Sequence, residues 1–288
     1  MILVTGAGGK TGLALLNELA RRGRPSRALV RSAAKIPLVL AAGASEAHPG
    51  DLLDRHTLAA AFEGVSSVYH IPPNLHEEEL AIGENVLRLS IERGVQHFIY
   101  HSVLHPYVRA MPHHEKKAHV EELIFASGLP FTILQPEAYM QNYIPGMGQA
   151  RLEGVFPVPY PADSQLGLVH LDDVACAAAQ VIEAPIHFQA TYELCGGKYW
   201  TPRRMAEALS QVFRRPVRVL EIDMEAWEAE ARDSGMSRYR IETLQKMFDY
   251  YGRFGFWGNS TVLESLLGRP PKTFPEFLDE QEQARSRA

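Results

Sequence analysis

Residues 1–20 read Met1-Ile2-Leu3-Val4-Thr5-Gly6-Ala7-Gly8-Gly9-Lys10-Thr11-Gly12-Leu13-Ala14-Leu15-Leu16-Asn17-Glu18-Leu19-Ala20. An apolar run of strand length enters a cluster of four glycines, and a stretch with an apolar face at Leu13, Leu16, Leu19 and Ala20 leaves it. That order is strand, tight turn, helix. The spacing is Gly-x-x-Gly-x-x-Gly at Gly6, Gly9 and Gly12, because Thr11 stands where a Gly-x-Gly-x-x-Gly pattern needs its last glycine. Gly6 permits the sharp turn, Gly9 lets backbone approach a diphosphate, and Gly12 lets the helix press on the strand. Free N–H groups and the positive helix end then point outward, so Gly8, Lys10 and Thr11 join the expected phosphate-binding set.

The same rhythm continues through the first half. Apolar runs at 2–5, 27–30, 45–47, 67–71, 97–100 and 131–134 alternate with amphipathic stretches at about 9–22, 33–42, 55–62, 76–93 and 114–127. Alternating βα units predict an α/β, doubly wound parallel Rossmann sheet with its ligand edge at the carboxyl ends of the strands. After about residue 150 the pattern changes. Residues 152–170 are rich in Pro, Gly and Tyr, a helix follows at 171–184 and a strand at 191–194, and largely helical stretches run to the end. The expected organisation is a nucleotide-binding domain over 1–150, with 171–195 returning to it, and a smaller, mostly helical α/β substrate lobe over 151–288.

Composition narrows the function classes. The 288 residues are 46% hydrophobic and 22% charged, enough to bury a full core, and the formal charge of -5 gives no basic field for nucleic acid. The two cysteines, Cys176 and Cys195, make no disulfide framework and no zinc spacing. No apolar run approaches the ~18 residues of a membrane span, and the first strand leaves no room for a signal peptide. The expectation is a cytoplasmic protein, monomer or homodimer, that acts on a small molecule without nucleic acid, membrane or metal.

The end of the second strand decides the dinucleotide. Sites for NAD place an acid about 20 residues after the glycines. Arg31 holds that place, no acid lies between Glu18 and Glu46, and Lys35 follows. A guanidinium grips a 2′-phosphate through paired hydrogen bonds and gains little from a hydroxyl, so NADP is expected, with NADPH preferred over NADH. Asp51, followed by Leu52, closes the third strand and either accepts from the adenine amino group or caps a helix. Ile71 and Pro72 end the fourth strand, where their backbone would flank a ribose, and Pro136 and Tyr139 sit where the chain would pass the nicotinamide. Ser102 and Asn142, after the fifth and sixth strands, either touch substrate or cofactor or tie down backbone. Tyr139 is also a candidate substrate wall.

The catalytic reading centres on residues 101–121, His-Ser-Val-Leu-His-Pro-Tyr-Val-Arg-Ala-Met-Pro-His-His-Glu-Lys-Lys-Ala-His-Val-Glu. None of the 11 tyrosines has a lysine four residues later. Instead His113 precedes Lys117 by one helical turn, placing an imidazole where a Tyr-x-x-x-Lys motif has its phenol. Lys117 would bind the nicotinamide ribose. His113, or a water it holds, would deliver a proton near neutral pH.

These residues resemble the NmrA-like group of atypical short-chain dehydrogenases/reductases. The chain matches that group at Gly6, Gly9, Gly12 and Arg31, at His113, Lys117 and Glu121 (His-x-x-x-Lys-x-x-x-Glu), at 127–134 and at Asn142, densely over 1–185 and thinly beyond. The resemblance implies a quinone-oxidoreductase-like NADPH-dependent oxidoreductase, transferring hydride to a quinone, enone, carbonyl or imine. It also implies an alternative, a non-catalytic NADP(H)-binding redox sensor that regulates a protein partner. The reductase is preferred because aromatics of the later lobe (Tyr139, Phe156, Tyr160, Trp200, Trp227, Tyr251, Phe254, Trp257) would line a substrate pocket, unless they are core.

Overall fold

Strand-length apolar runs separated by amphipathic stretches give, in a computed structural model describing residues 1–287, a βα alternation that begins at the second residue. In order come β1 (Ile2–Val4), α1 (Lys10–Arg21), β2 (Ser26–Val30), α2 (Ile36–Ala41), β3 (Glu46–Pro49), α3 (Arg55–Ala61), β4 (Ser67–His70), α4 (Glu79–Glu92), β5 (His97–His101), α5 (Pro112–Phe125) and β6 (Phe131–Pro136). There follow β7 (Ala138–Tyr139), α6 (Ile144–Glu153), β8 (Val155–Val158), β9 (Leu168–Val169), α7 (Leu171–Glu183), β10 (Ala190–Leu194), α8 (Pro202–Phe213) and β11 (Arg218–Glu221). Four helices complete the chain: α9 (Met224–Asp233), α10 (Arg238–Phe254), α11 (Thr261–Leu267) and α12 (Phe274–Arg287).

The main sheet has the order β10-β6-β5-β4-β1-β2-β3, and the pairs from β3 to β6 are parallel. The chain order reverses between β1 and β4, and ligands of open α/β sheets bind outside the carboxyl ends at such a switch. Strands covered on both faces need apolar residues at every position, which is why β1 is Ile-Leu-Val and wholly buried. In α1, Gly12, Leu15, Leu16 and Leu19 recur on one face and are buried. β5 is also buried throughout although it begins and ends in histidine. One nitrogen of each ring is bonded locally: His97 Nε2 lies 2.8 Å from Thr132 Oγ1, and His101 Nδ1 lies 2.7 Å from the Tyr69 hydroxyl, while His97 Nδ1 has no partner among the described residues.

Two compact units divide the chain. The first contains Met1–Arg109, His113–Pro136 and Leu171–Tyr192 and holds the main sheet, with α1 packed on α7 and Arg22 bonded across to Glu183 at 3.0 Å. The second takes Ala110–Pro112, Glu137–His170 and the residues from Glu193 onward. It contains two parallel strand pairs, β7 with β9 and β8 with β11. Phe156, Tyr160 and Tyr251 are buried there, and the Tyr143 and Tyr160 hydroxyls bond each other at 2.7 Å. Those rings are core, whereas Phe254 and Trp257 are exposed. Glu137 is buried in this unit, its carboxylate accepting from the Gly196 and Gly258 amides at 2.9 and 2.7 Å. Among the described residues no helix is long and apolar enough to cross a membrane.

Candidate functional site

The glycine loop closes between β1 and α1 through a Gly9 amide bond to the Gly6 carbonyl at 3.0 Å. Gly6 has φ of +60°, and a Cβ on it would lie 2.7 Å from the Ile71 carbonyl oxygen. Gly12 sits as tightly: its Cβ would lie 2.6 Å from Ala7 Cα. Any side chain at either place would push the loop away from the sheet. Gly9 caps α1 in extended backbone and no side chain caps the helix, so its first amides are turned outward with the positive end of the dipole.

Against this loop lies a cavity of about 340 Å³ in the first unit. Of the expected residues it brings together Gly6, Gly8, Gly9, Arg31, Lys35, Asp51 and Leu52. Lys10 and Thr11 stand in the first turn of α1, and Gly12 is buried beneath the loop. Among the described residues Arg31 and Lys35 have no carboxylate or hydrogen-bond partner, and both are exposed. Nearby arginines are committed to the fold instead. Arg27 holds Glu46 at 2.8 Å and the Ala61 and Glu63 carbonyls at 2.9 and 2.6 Å, while Arg21 pairs with Glu18 at 2.7 Å. Lys35 lays its methylenes beside Gly8, where a Cβ would meet its Cδ at 3.4 Å. Two cations without an ion-pair partner among the described residues, beside an uncapped helix start, suit a phosphate-rich ligand.

Asp51 forms a local turn, Oδ1 accepting from the Leu53 amide at 2.9 Å, while the cap of α3 is Asp54, which accepts from His56. Ser32, Gly50 and His76, which sequence reasoning passed over, also line the cavity, as does Pro73 in the turn with Ile71 and Pro72. Ser32 and Gly50 adjoin residues already singled out, so sequence adjacency was a usable signal. His76 projects from the loop after β4, where nothing in spacing distinguished it.

The second cluster of polar residues gathers on α5. His113, Lys117 and Glu121 recur at one-turn spacing on a single buried face. Burial, with His114 and Lys117 adjacent, pushes the His113 imidazole down to about 2. At neutral pH the ring is therefore uncharged, with no imidazolium proton to give. Its Nδ1 has no partner. Lys117 is ion-paired with Glu79, the first residue of α4, which is fully buried. Glu121 accepts from Ser102 and from Gln135 Nε2 at 2.9 and 3.0 Å, and burial pushes its carboxyl up. The Ser102 hydroxyl thus ties down a carboxylate. Under the same sheet edge, Thr5 Oγ1 bonds His70 Nδ1 at 2.8 Å and the Ile71 amide at 3.0 Å, fixing the turn that carries Ile71 and Pro72. Burial with Lys117 nearby drives His70 and His101 down to about 3.

Pro136 ends β6 and accepts from the Leu104 amide at 2.9 Å. Tyr139 and Asn142 belong to the second unit. Tyr139 is half-buried and pairs in β7 with Val169, and Asn142 is exposed in a 3-10 turn. The first unit thus holds a cavity at the switch point and a buried polar helix face.

Three comparisons bear on this arrangement. An NAD(P)H azoreductase of Xenophilus azovorans is 28% identical over 286 residues, covering 96% of each chain. Quinone oxidoreductase 2 of Escherichia coli strain K12 is 26% identical over 280 residues, covering 96% of this chain and 97% of that one. The crystal structure of the NADPH-dependent quinone oxidoreductase of Escherichia coli complexed with NADPH superposes with a TM-score of 0.85 at 25% identity, covering 98% and 99%. Residues 1–278 match the NmrA-like family, and the chain belongs to it.

Proposed function

We propose that this protein is an NADPH-dependent oxidoreductase that passes hydride to a small electrophile of the quinone or azo class, with enones, carbonyls and imines as further acceptors. The observation that carries the cofactor half is the pair Arg31 and Lys35, unpartnered among the described residues at the rim of a cavity lined by Gly6, Gly8 and Gly9. The acceptor class follows from relatives named as an azoreductase and a quinone oxidoreductase over nearly their whole length.

Bound NADPH supplies the hydride from its reduced nicotinamide. The chain's own work is binding, orientation and proton handling. The amides at the start of α1 hold the diphosphate, and Arg31 with Lys35 holds the 2′-phosphate. Lys117, steadied by Glu79, donates to ribose hydroxyls. His113 serves as a neutral hydrogen-bonding group, so the proton that follows hydride to the reduced oxygen or nitrogen comes from solvent.

The test is stopped-flow oxidation of NADPH against quinones, azo dyes, enones and imines, with the unliganded protein as starting material. Turnover with at least one quinone or azo acceptor is expected, and NADPH should outperform NADH. If no acceptor consumes NADPH while NADPH still binds, the chain is a sensor and the reductase reading falls.

A further inference from the structure

Lys117 is 9% exposed and Glu79 is fully buried, so their ion pair is removed from water. A lysine ammonium on a four-carbon stem has no preferred aim of its own, and it is strongly hydrated. Something must replace that water and fix the stem. Glu79 is the carboxylate that does so, and it lies 38 residues away in sequence, outside the helix that carries the His-x-x-x-Lys-x-x-x-Glu pattern. Its position is supported in three ways. As the first residue of α4 its negative charge sits at the favourable end of the helix dipole. The Tyr100 hydroxyl approaches the same oxygen, Oε1, at 3.5 Å. The pair is also insulated from competing cations, because His70, His101, His113 and His114 around Lys117 are all held neutral by burial. Glu121, one turn on, feels the Lys117 charge but spends its hydrogen bonds on Ser102 and Gln135, whereas Glu79 is the carboxylate paired with the ammonium. The second carboxylate oxygen of Glu79 has no hydrogen-bond partner. A buried carboxylate with half its capacity unused suits a group kept for charge and direction more than for fold.

We propose that Glu79 is the positioning residue for Lys117, holding the ammonium aimed at the carboxyl edge of the sheet so that it can bind the ribose of the dinucleotide. The inference rests on the reading that Lys117 touches the cofactor.

The test is a double-mutant cycle in the full chain with Glu79→Gln, Lys117→Met and the combined variant, read by NADPH and NADH dissociation constants and, separately, by urea midpoint. Expected is a loss of about tenfold or more in affinity for both nucleotides in each single variant, the order of one hydrogen bond to a charged group. The combined variant should be no weaker than Lys117→Met alone, because Glu79 has nothing left to position. It also removes both charges together, which keeps it folded if a single variant is not. Additive affinity losses, or full affinity in a folded Glu79→Gln protein, overturn the proposal. Full affinity in Lys117→Met overturns instead the assignment of Lys117 to the cofactor. A purely structural pair would move the urea midpoint and leave affinity of the folded fraction unchanged, and that result also rejects the proposal.

Discussion

Replacing Arg31 by alanine separates cofactor recognition from fold stability more cleanly than any other change in this chain. Arg31 is exposed and makes no hydrogen bond or ion pair with the described residues, so truncation removes nothing the fold uses. The expected stability change is within about 0.5 kcal/mol, the ordinary range for a surface site. For NADPH the loss is one charge-assisted interaction with the 2′-phosphate, about 1.5–3 kcal/mol, which corresponds to roughly a 10- to 150-fold rise in Kd. NADH has only a hydroxyl at that place, and its Kd should change by less than about twofold. Arg27 is the internal control, because its guanidinium holds Glu46 and two carbonyls. Arg27→Ala should lower stability by about 1–3 kcal/mol and leave the NADPH to NADH ratio unchanged. Calorimetric titration of both nucleotides into both variants, with urea melts alongside, is the assay. Equal losses for NADPH and NADH in Arg31→Ala, or no loss at all, would refute the assignment of the 2′-phosphate to this side chain.

Other perturbations probe the loop and the buried titratable groups. Gly12→Ala should reduce stability by about 1–3 kcal/mol through overpacking, and impair nucleotide binding, because the new Cβ would meet the Ala7 and Gly6 oxygens at 2.7 Å; a urea midpoint at the wild-type value would show that the helix does not press on the loop. His70, His101 and His113 are buried neutral, with values pushed to about 3, 3 and 2 against an ordinary 6.5. Their folded values are depressed, so stability is present above about pH 6.5 and lost as pH falls, at up to about 1.4 kcal/mol per pH unit for each. Circular dichroism should therefore register cooperative acid unfolding near pH 5, and a native spectrum at pH 4 would contradict it. Glu137 is the opposite case: burial raises it from 4.5 to about 7, so its contribution is complete below about pH 4.5 and lost as pH rises through 7. Between pH 6 and 8 the stability difference between Glu137→Gln and wild type should change by about 1.4 kcal/mol in favour of the glutamine. A constant difference across that range would remove the titration from Glu137.

The fold was legible because its deciding signals are local. Strand, glycine turn and helix follow one another within residues 2–21, and the same alternation repeats through β6. Where local signals conflicted, detail was lost. Pro157 hides β8, since proline within a short run argues against a strand, yet here the strand has only β11 as its neighbour. The helix expected over 76–93 starts at Glu79, after the turn that follows Pro72 and Pro73. That Arg31 and Lys35 would lie beside the glycine loop was readable from position alone, because the end of β2 is a fixed distance from the glycines.

Glu79 was not readable in that way. In sequence it is the third acid of Glu77-Glu78-Glu79 at a helix start, the pattern of a solvated first turn. Only the packing of α4 against the sheet takes that third carboxylate out of water while leaving Glu77 and Glu78 in it. The difference is a matter of helical phase: rotating α4 by one residue would bury Glu78 or Leu80 instead, and would leave Lys117 charged with no counter-ion. The apolar residues that set the phase, Ile82, Val86 and Leu89, are therefore part of the polar site's construction although none carries a charge. An ion pair specified by the hydrophobic register of one helix and the motif of another has no signature in either segment alone.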